Sequence, residues 1–321
     1  MQERNVGKSG LRVSAIGLGC NNFGRQVDLE GSRAVIHKAL DLGITLFDCG
    51  DVYGRRGGAE KILGEVLGPR RKDIVLVTKF GRPMDSEGRL KGGSRRYIMS
   101  AVEASLQRLK TDWIDVYQYH LVDPLTPIEE TLRALDDLVR QGKVRYIGCS
   151  PMPAWQVIDA MWTSRSNNIT SFIACEDEYS LLGRGIEREL LPAMEQMGLG
   201  LLPYYPLASG LLTGKYKRGQ PLPANSRFAV ITERDYTGQF LTEANLMRLD
   251  HLTTFAERRS YKLLDVAISW LYAKPLVASV IAGATKPEQV EANVKGAALK
   301  LTSEDMAELD EITAGSDSAQ S

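Results

Sequence analysis

Eight short apolar segments, each followed by an amphipathic segment of helical length, alternate along this chain of 321 residues. The apolar segments have the length of buried strands and are bounded by turn residues. The predicted strands cover residues 14–19, 44–48, 74–79, 114–119, 145–149, 171–175, 199–203 and 277–281. The predicted helices cover residues 31–42, 58–67, 94–109, 127–141, 153–163, 186–197, 261–273 and 287–296. Eight strand–helix units in one chain of this length predict a (β/α)8 barrel.

The segments outside these units are few. Residues 4–13 carry Gly7-Lys8-Ser9-Gly10 between two short extended pieces, which predicts a small hairpin. The longest connection, 205–276, holds the seventh barrel helix and a basic loop at 215–227, and loops of this length are usually functional. A further helix is expected at 303–312 and disorder at 314–321. No linker divides the chain, so residues 1–321 are predicted to form a single domain.

Composition excludes several classes of function. Forty basic and forty acidic residues give a formal net charge of zero, so nothing favours nucleic acid or an anionic membrane surface as the main partner. The chain lacks an apolar stretch of membrane-spanning length and a signal-peptide pattern at its start, so a cytoplasmic protein is expected. The spacing of Cys20, Cys49, Cys149 and Cys175 predicts buried, reduced thiols rather than a zinc site or disulfides.

Polar side chains stand at the ends of three successive predicted strands. Asp48 ends the second strand, Lys79 ends the third, and His120 follows the fourth. The carboxyl ends of the strands of a parallel barrel form one rim, so these groups are expected to lie close together. An ion pair between Asp48 and Lys79 would lower the cost of burying either charge. Tyr53 lies in the loop that leaves the second strand, where its phenol can turn back over the same rim.

The four groups at this rim suggest acid–base chemistry. A phenol beside a lysine ammonium is expected to have a pKa below its usual value of about 10, which makes Tyr53 a candidate general acid. His37 and His251 lie in helical, charge-rich segments and are interpreted as solvated or hydrogen-bonded histidines. Taken alone, His120 is also compatible with a core histidine bonded to backbone. Its position with Asp48, Tyr53 and Lys79 favours a functional role.

Two glycine-containing motifs resemble nucleotide-binding loops and are rejected. Gly17-Leu18-Gly19 follows a strand, but a dinucleotide-binding fingerprint needs glycine at the position of Asn22 and a helix that opens there. The segment 209–216 fails as a P-loop because it begins with Ser209 and carries Tyr216 where serine or threonine is required.

Five segments together resemble the aldo-keto reductase family, and the resemblance runs from the hairpin through Asn293. They are Phe47-Asp48-x-x-Asp51-Val52-Tyr53-Gly54, Thr78-Lys79-Phe80, Tyr117-Gln118-Tyr119-His120, and residues 202–216 and 283–293. The resemblance implies a (β/α)8 barrel that binds NADP(H) across the carboxyl ends of its strands. It also implies that Tyr53 donates the proton as hydride reaches the carbonyl, with Lys79 and Asp48 assisting and His120 orienting the carbonyl oxygen.

The resemblance further implies which residues bind the cofactor. Tyr204 would stack on the nicotinamide, although alone it is equally compatible with core packing. Lys286, at a predicted helix start, would favour the 2'-phosphate of NADP, although it is also compatible with a solvated surface charge. The full expected set is Asn21, Ser150, Glu176, Tyr204, Pro206, Leu207, Ser209, Gly210, Leu211, Lys215, Arg227, Gly283, Thr285, Lys286, Gln289 and Asn293.

The chain departs from the family pattern at three positions. Pro151 replaces the usual asparagine after Ser150, and Glu176 replaces the usual glutamine on the sixth strand. An ionised Glu176 can accept from the nicotinamide carboxamide but cannot donate to its oxygen. Ala292 replaces a frequent acidic residue before Asn293. These departures bear on cofactor affinity more than on the identity of the reacting residues.

Three functions remain open on the sequence. The first is NADPH-dependent reduction of an aldehyde or ketone, and the second is an NADPH-sensing regulatory subunit like the β subunits of potassium channels. A barrel that binds a small ligand without redox chemistry is the third. The expected substrate is a medium-sized polar carbonyl, such as a sugar-derived aldehyde. The loops expected to line its pocket contribute Asn21, Asn22, Phe23, Arg25, Val52, Tyr53, Met84 and Tyr205.

Overall fold

An antiparallel hairpin begins the chain, formed by β1 (Glu3–Asn5) and β2 (Arg12–Ser14). The computed structural model describes residues 1–224, 226–230 and 239–315. The hairpin packs against the start of a later strand, because the Lys8 N–H donates to the Gly198 carbonyl over 2.9 Å. The hairpin predicted at residues 4–13 is confirmed.

Eight parallel strands follow and form a barrel. Each of the first six strands pairs with the next in chain order, and the last strand pairs in parallel with the first. A parallel bridge between Leu201 and Val277 links the remaining two edges. The strands are β3 (Ile16–Gly19), β4 (Leu46–Asp48), β5 (Val75–Phe80), β6 (Ile114–Tyr119), β7 (Val144–Cys149), β8 (Phe172–Glu178), β9 (Gly200–Tyr204) and β10 (Val280–Gly283). The predicted (β/α)8 fold is therefore confirmed.

Helices surround the barrel. They are α1 (Leu29–Asp41), α2 (Tyr53–Val66), α3 (Arg95–Leu109), α4 (Ile128–Arg140), α5 (Ala154–Ser166), α6 (Leu190–Met197), α7 (Arg227–Val230), α8 (Glu243–Arg258), α9 (Leu263–Ala273), α10 (Pro287–Gly296) and α11 (Ser303–Ile312). Amphipathic sequence explains their packing: α4 buries Leu132, Leu135 and Leu138 and carries Glu129 and Glu130 in its first turn. No helix in the ranges given above has the length and apolar character needed to cross a bilayer.

Three helix predictions differ from the structure. The helix predicted at 186–197 starts at Leu190, after a separate 3₁₀ turn. The sequence analysis placed one helix in 205–276 and missed α7 and α8. The predicted α11 is present and begins with a capping box formed by Thr302 and Asp305. Of the segment expected to be disordered, Ala314 and Gly315 lie in a turn, and 316–321 fall outside the described residues.

The barrel interior contains two layers of side chains, which we call the apolar layer and the polar layer. The apolar layer consists of Leu46, Val77, Val116, Ala174, Leu202, Ala278 and Ile281, with Val6 and Val13 from the hairpin end. Two positions further along the strands lie Asp48, Lys79, Gln118, Glu176, Tyr204 and Gly283, which form the polar layer. Side chains two apart on a strand share a face, so both layers point into the barrel.

The four cysteines are buried and free, as the sequence analysis predicted. Cys149 and Cys175 are direct partners in the β7–β8 ladder, with their sulfur atoms 3.6 Å apart.

Candidate active site

Lys79 is the centre of the polar layer. Its ammonium donates to an Asp48 carboxylate oxygen and to the Cys49 carbonyl, the latter over 3.0 Å. The Lys79 side chain is 0% exposed and that of Asp48 is 5% exposed. Burial opposes the charge on Lys79, but the attraction of Asp48 and Glu176 outweighs it, so the pKa of Lys79 is raised well above its usual value. The lysine is therefore an ammonium, as its position between carboxylates requires.

Tyr53 begins α2 and turns its phenol over Lys79. The hydroxyl lies 3.4 Å from Lys79 Nζ, and that nitrogen is 5.0 Å from the centre of the ring. Burial raises the pKa of Tyr53 above its usual value, and the opposing effect of Lys79 is weakened by Asp48 and Glu176. The expectation of a lowered Tyr53 pKa was therefore wrong, because it counted the lysine charge without the burial and the two carboxylates. Tyr53 is held protonated.

An unusual left-handed turn follows Tyr53. The four residues after it have positive φ angles, namely Gly54 (66°), Arg55 (63°), Arg56 (68°) and Gly57 (101°). A Cβ atom on Gly54 would lie 2.5 Å from the Phe23 carbonyl oxygen, and one on Gly57 would lie 2.6 Å from the Arg108 side chain. Glycine is therefore required at both ends of the turn. Regular helix starts only after Gly57, where the sequence analysis predicted it.

His120 follows β6 and faces Tyr53. The two rings meet edge to face, with centres 5.7 Å apart and planes at 88°. The backbone N–H of His120 donates to the Phe80 carbonyl. The buried ring nitrogen Nδ1 of His120 has no hydrogen-bond partner among the described residues. Burial, together with the charges of Lys79 and Arg82, lowers the pKa of His120 well below its usual value. A neutral imidazole with a spare nitrogen is suited to hydrogen-bond a ligand.

Glu176, expected on the sixth strand beside the nicotinamide, makes a contact that the sequence analysis did not foresee. Its Oε1 lies 3.2 Å from Lys79 Nζ, so Lys79 contacts two carboxyl groups, one from β4 and one from β8. The other oxygen, Oε2, is buried without a hydrogen-bond partner in the described ranges. Burial, followed by the nearby Asp48, raises the pKa of Glu176 well above its usual value.

A second pair of acidic side chains, Asp51 and Glu60, is buried next to the site. Asp51 is 1% exposed, and burial with a contribution from Glu60 raises its pKa to about 8. Glu60 is paired with Arg108 and accepts a hydrogen bond from Thr78 over 2.6 Å. The Thr78 bond connects the start of α2 to β5, so these groups fix the helix that carries Tyr53 relative to the strand that carries Lys79.

The expected cofactor residues fall into two groups at the same rim. The first follows β9, where Tyr204 meets Tyr205 edge to face with ring centres 5.2 Å apart. Positive φ angles occur there at Tyr205 and, within a 3₁₀ segment that runs over Ala208–Thr213, at Ala208, Ser209 and Gly210. The Ala208 and Gly210 N–H groups donate to the Tyr205 and Leu207 carbonyls, so the turn is closed by its own backbone hydrogen bonds. The Ser209 hydroxyl and Arg227 Nε are buried without a hydrogen-bond partner among the described residues.

The members of this first group differ in how they can meet a ligand. The side chains of Leu211 and Leu207 pack in the hydrophobic core, so only their backbone atoms are suited to polar contacts. Pro206 likewise offers only its carbonyl oxygen. The ammonium of Lys215 lies 5.1 Å from the Tyr216 ring centre. The Arg227 guanidinium lies 5.9 Å from the Tyr205 ring centre.

The second group lies at the turn from β10 into α10. Gln289 accepts from the Thr285 N–H over 2.7 Å and from its hydroxyl over 3.1 Å. Lys286 is the N-cap residue of α10, next to Pro287 at the first helical position. Asn293 is buried in the same helix. A Cβ on Gly283 would lie 3.8 Å from the Asn21 side-chain oxygen, so Asn21 belongs to this group.

Ser150 and two of the residues expected to line the pocket lie in or beside the buried part of the barrel. Ser150 follows β7, and its N–H donates to the Tyr119 carbonyl over 2.8 Å, which continues the strand ladder. Phe23 is fully buried in the hydrophobic core, so its expected place on the pocket wall was wrong. Asn22 is also buried, and its carbonyl accepts the N–H groups of the turn that follows.

Comparison with known proteins identifies the family of this chain. A model of the "Aldo/keto reductase family" matches residues 15–314. A probable voltage-gated potassium channel subunit beta from Arabidopsis thaliana is 37% identical, with 92% of this chain and 90% of that protein aligned. An L-glyceraldehyde 3-phosphate reductase from Escherichia coli K12 is also 37% identical, over 97% of this chain and 92% of that protein. An uncharacterized oxidoreductase, YrpG, from Bacillus subtilis is 33% identical over 98% of this chain and 97% of its own length. With a family model across nearly the whole barrel and relatives of this identity, the chain belongs to the aldo/keto reductase family of oxidoreductases.

Proposed function

We propose that this chain is a single-domain, NADPH-dependent reductase that converts an aldehyde or ketone to an alcohol. One observation carries the proposal: the Tyr53 hydroxyl lies 3.4 Å from the Lys79 ammonium and its ring meets His120 at 88°. A protonated phenol, a cation and a neutral imidazole thus converge at the carboxyl ends of three successive strands. This is an arrangement for stabilising and protonating an oxygen that gains negative charge.

Each of the four groups has a role that its environment supports. Tyr53 holds the proton that the carbonyl oxygen receives, and Lys79 lowers the cost of the phenolate that remains. Asp48 keeps the ammonium in place, because Lys79 donates to it directly. His120 hydrogen-bonds the carbonyl oxygen and orients it. When bound, the nicotinamide cofactor supplies the hydride.

The residues present fit a phosphorylated dinucleotide. The turn after β9 suits a pyrophosphate, because the Ser209 hydroxyl and Arg227 Nε there lack protein partners in the described ranges. Lys286 at the start of α10 offers a cation beside a helix N-terminus, which suits an additional phosphate and favours NADP over NAD. Tyr204 is half-buried in the polar layer and has a ring face suited to the nicotinamide.

The substrate class follows from a cation beside His120. Arg82 contributes to the charge that acts on His120, and its Nε is buried without a hydrogen-bond partner among the described residues. An anionic group on a small polar carbonyl would satisfy it. The Escherichia coli relative is named as an L-glyceraldehyde 3-phosphate reductase, and a phosphorylated aldehyde of that kind belongs to this class. For Arg82→Gln we expect KM to rise about 10-fold to 100-fold for a phosphorylated aldehyde and little for an uncharged one. An equal rise for both would contradict an anion-binding role.

A second candidate is a regulatory subunit that senses NADPH and turns over little substrate. The relatives from Arabidopsis thaliana and rice named as probable potassium channel β subunits favour it. It differs from the first candidate in one measurable property, since it requires tight NADPH binding without carbonyl reduction.

The test measures NADPH oxidation by absorbance against a panel of small carbonyls, after fluorescence has established NADPH binding. Tyr53→Phe should lower kcat about 10²-fold to 10⁴-fold while NADPH still binds. Tyr117→Phe is the matched control, because it also removes a buried hydroxyl, one that has no hydrogen-bond partner in the described part of the chain. Near-normal turnover by Tyr53→Phe would exclude the proposal. Tight binding with no turnover by the wild type would favour the sensing role.

A further inference from the structure

The polar layer contains more negative than positive groups around one lysine. Lys79 contacts both Asp48 and Glu176, and the three side chains are 0%, 5% and 2% exposed. Asp48 and Glu176 are also within hydrogen-bonding reach of each other. Two carboxyl groups in mutual contact, sharing one cation in the interior, form a coupled pair.

Within the described part of the chain, Lys79 is the one cation that acts on this pair. The groups that act on Glu176 from neighbouring elements are Tyr53 at the start of α2, Cys149 on β7 and Tyr204 on β9. On its own strand the next residue is the acidic Asp177. With both carboxyls ionised, the cluster would carry one uncompensated negative charge away from water, which is strongly unfavourable. One retained proton removes that charge.

The contacts indicate which carboxyl keeps the proton. Asp48 receives the direct hydrogen bond from Lys79, which favours its ionised form. Glu176 has one oxygen 3.2 Å from Lys79 and a second, Oε2, that is buried and receives no hydrogen bond within the described ranges. A negative charge on Oε2 would be unsolvated, whereas a hydroxyl there can donate. We propose that Asp48 and Glu176 share a single proton, carried mainly by Glu176, and that Glu176 acts as a neutral carboxylic acid at neutral pH.

This proton changes what Glu176 offers to a ligand. A neutral carboxylic acid has one O–H donor and a carbonyl acceptor, which is the same pair of functions that a side-chain amide presents. It can therefore donate to the oxygen of a nicotinamide carboxamide and accept from its nitrogen. The inability to donate that was expected of an ionised Glu176 then no longer applies. This consequence rests on the proposed function, whereas the shared proton does not.

Infrared difference spectroscopy of the ligand-free protein tests the proton itself. The wild type should show a carboxylic C=O band that Glu176→Gln abolishes and Asp177→Asn retains. The band should persist above about pH 9, where Asp51 and Asp177, with pKa values of about 8 and about 7, have lost their protons. Asp48→Asn should also abolish the band, because Glu176 then becomes the single partner that balances Lys79. A band that survives Glu176→Gln, or is absent from the wild type, would overturn the proposal.

NADPH fluorescence titration tests the consequence for binding. Glu176→Gln should bind NADPH within about threefold of the wild type at neutral pH, because an amide reproduces the neutral acid. The wild type should lose affinity at alkaline pH as the shared proton leaves, and Glu176→Gln should not. A large loss of affinity in folded Glu176→Gln at neutral pH would overturn the carboxamide role. Failure of every variant and of the wild type to bind NADPH, with the infrared band present, would refute the proposed function and leave the shared proton supported.

Discussion

The apolar layer and the polar layer of the barrel lie on the same strands, two residues apart, and are buried to nearly the same extent. Leu46 and Val77 in the first layer are 0% exposed, and Lys79 and Glu176 in the second are 0% and 2% exposed. Burial alone therefore does not distinguish the layer that stabilises the fold from the layer that carries the proposed active site. What distinguishes them is the chemistry that each strand places at its carboxyl end.

The two layers contribute differently to stability. Hydrocarbon in the apolar layer gains about 25 cal/mol for each Å² removed from water. A buried ion pair recovers little more than the cost of desolvating its charges, and replacing it with well-packed hydrocarbon is often stabilising. The polar layer thus gives up stability that an apolar layer would supply. It retains charges that are useful only when a ligand is present.

Removing the central cation should have the largest effect. Lys79→Met leaves Asp48 and Glu176 buried without their partner, so we expect the free energy of unfolding to fall by about 3–5 kcal/mol near pH 8. Reductase activity should be lost as well. Urea denaturation measures the first effect, and Lys61→Met, an exposed lysine on α2, is the control that should stay within about 0.5 kcal/mol of the wild type.

The pH dependence of this variant identifies the cause. Burial raises the pKa of both carboxyls even beside Lys79, and losing the attraction of Lys79 raises both pKa values further. A raised folded pKa stabilises at low pH, and that stability is lost as the pH rises through it. The deficit of Lys79→Met should therefore shrink near pH 5. A deficit that does not change with pH would indicate lost packing of the lysine chain instead.

A change in the apolar layer should affect stability without affecting chemistry. Leu46→Ala, two residues before Asp48, removes a fully buried side chain and is expected to cost about 2–5 kcal/mol. The variant should keep its kcat at temperatures where it is folded. Leu125→Ala is the matched control, since Leu125 is 91% exposed. A folded Leu46→Ala without activity would show that the two layers do not act separately.

Three of the four candidate residues could be predicted from the sequence because each stands at the end of a strand-length apolar run, and the fourth, Tyr53, lies in the loop after one of these runs. Asp48, Lys79 and His120 follow runs whose length alone fixes where the strand stops, and parallel strands bring their ends to one rim. Local pattern was sufficient for this prediction, and the resemblance to a family added the candidate cofactor residues.

The contact between Lys79 and Glu176 could not be predicted in the same way. It joins β5 to β8, which are not neighbours, so it depends on closure of the barrel and on the relative stagger of distant strands. The only local signal was an acidic run, Glu176-Asp177-Glu178, at a strand end. The helix α8 was missed although Leu249, Leu252 and Phe255 follow a helical period and Thr242 caps it by accepting from Asn245.

Asp177, the residue after Glu176, should have a smaller effect on the free energy of unfolding, and this effect should depend on pH. Burial raises the pKa of Asp177 to about 7, above the unfolded value of about 3.9. Between these values the folded state holds a proton that the unfolded state has released. The free energy of unfolding therefore falls as pH rises, by up to about 1.4 kcal/mol per pH unit. Asp177→Asn should remove this contribution, as measured by urea denaturation between about pH 5 and pH 7.

Asp51, with a pKa of about 8, should supply a second contribution of the same sign. Asp51→Asn therefore serves as the comparison for Asp177→Asn. Each variant should reduce the slope of stability against pH, and a slope unchanged in Asp177→Asn would mean that Asp177 is ionised in the folded protein.

The smallest predicted effect concerns backbone strain at the rim. Of the eight non-glycine residues with positive φ in the described ranges, five lie in the segments after β4 and β9, next to the polar layer. Arg56 is one of them, with φ of 68°. A left-handed L-residue costs roughly 1–2 kcal/mol, and the greater unfolded-state entropy of glycine returns about 0.4–1 kcal/mol of that. Arg56→Gly should therefore stabilise the protein by up to about 1 kcal/mol.

The control for Arg56→Gly is the same substitution in a regular helix. Arg96 lies exposed in α3, where glycine costs about 0.5–1 kcal/mol, so Arg96→Gly should destabilise the protein. The two variants make an identical chemical change with opposite expected signs, and thermal denaturation distinguishes them. If Arg56→Gly destabilised the protein as much as Arg96→Gly, the turn after Tyr53 would be held by contacts of the arginine side chain. Stabilisation by Arg56→Gly would instead show that this turn at the rim contains backbone strain, which the strands of the apolar layer do not.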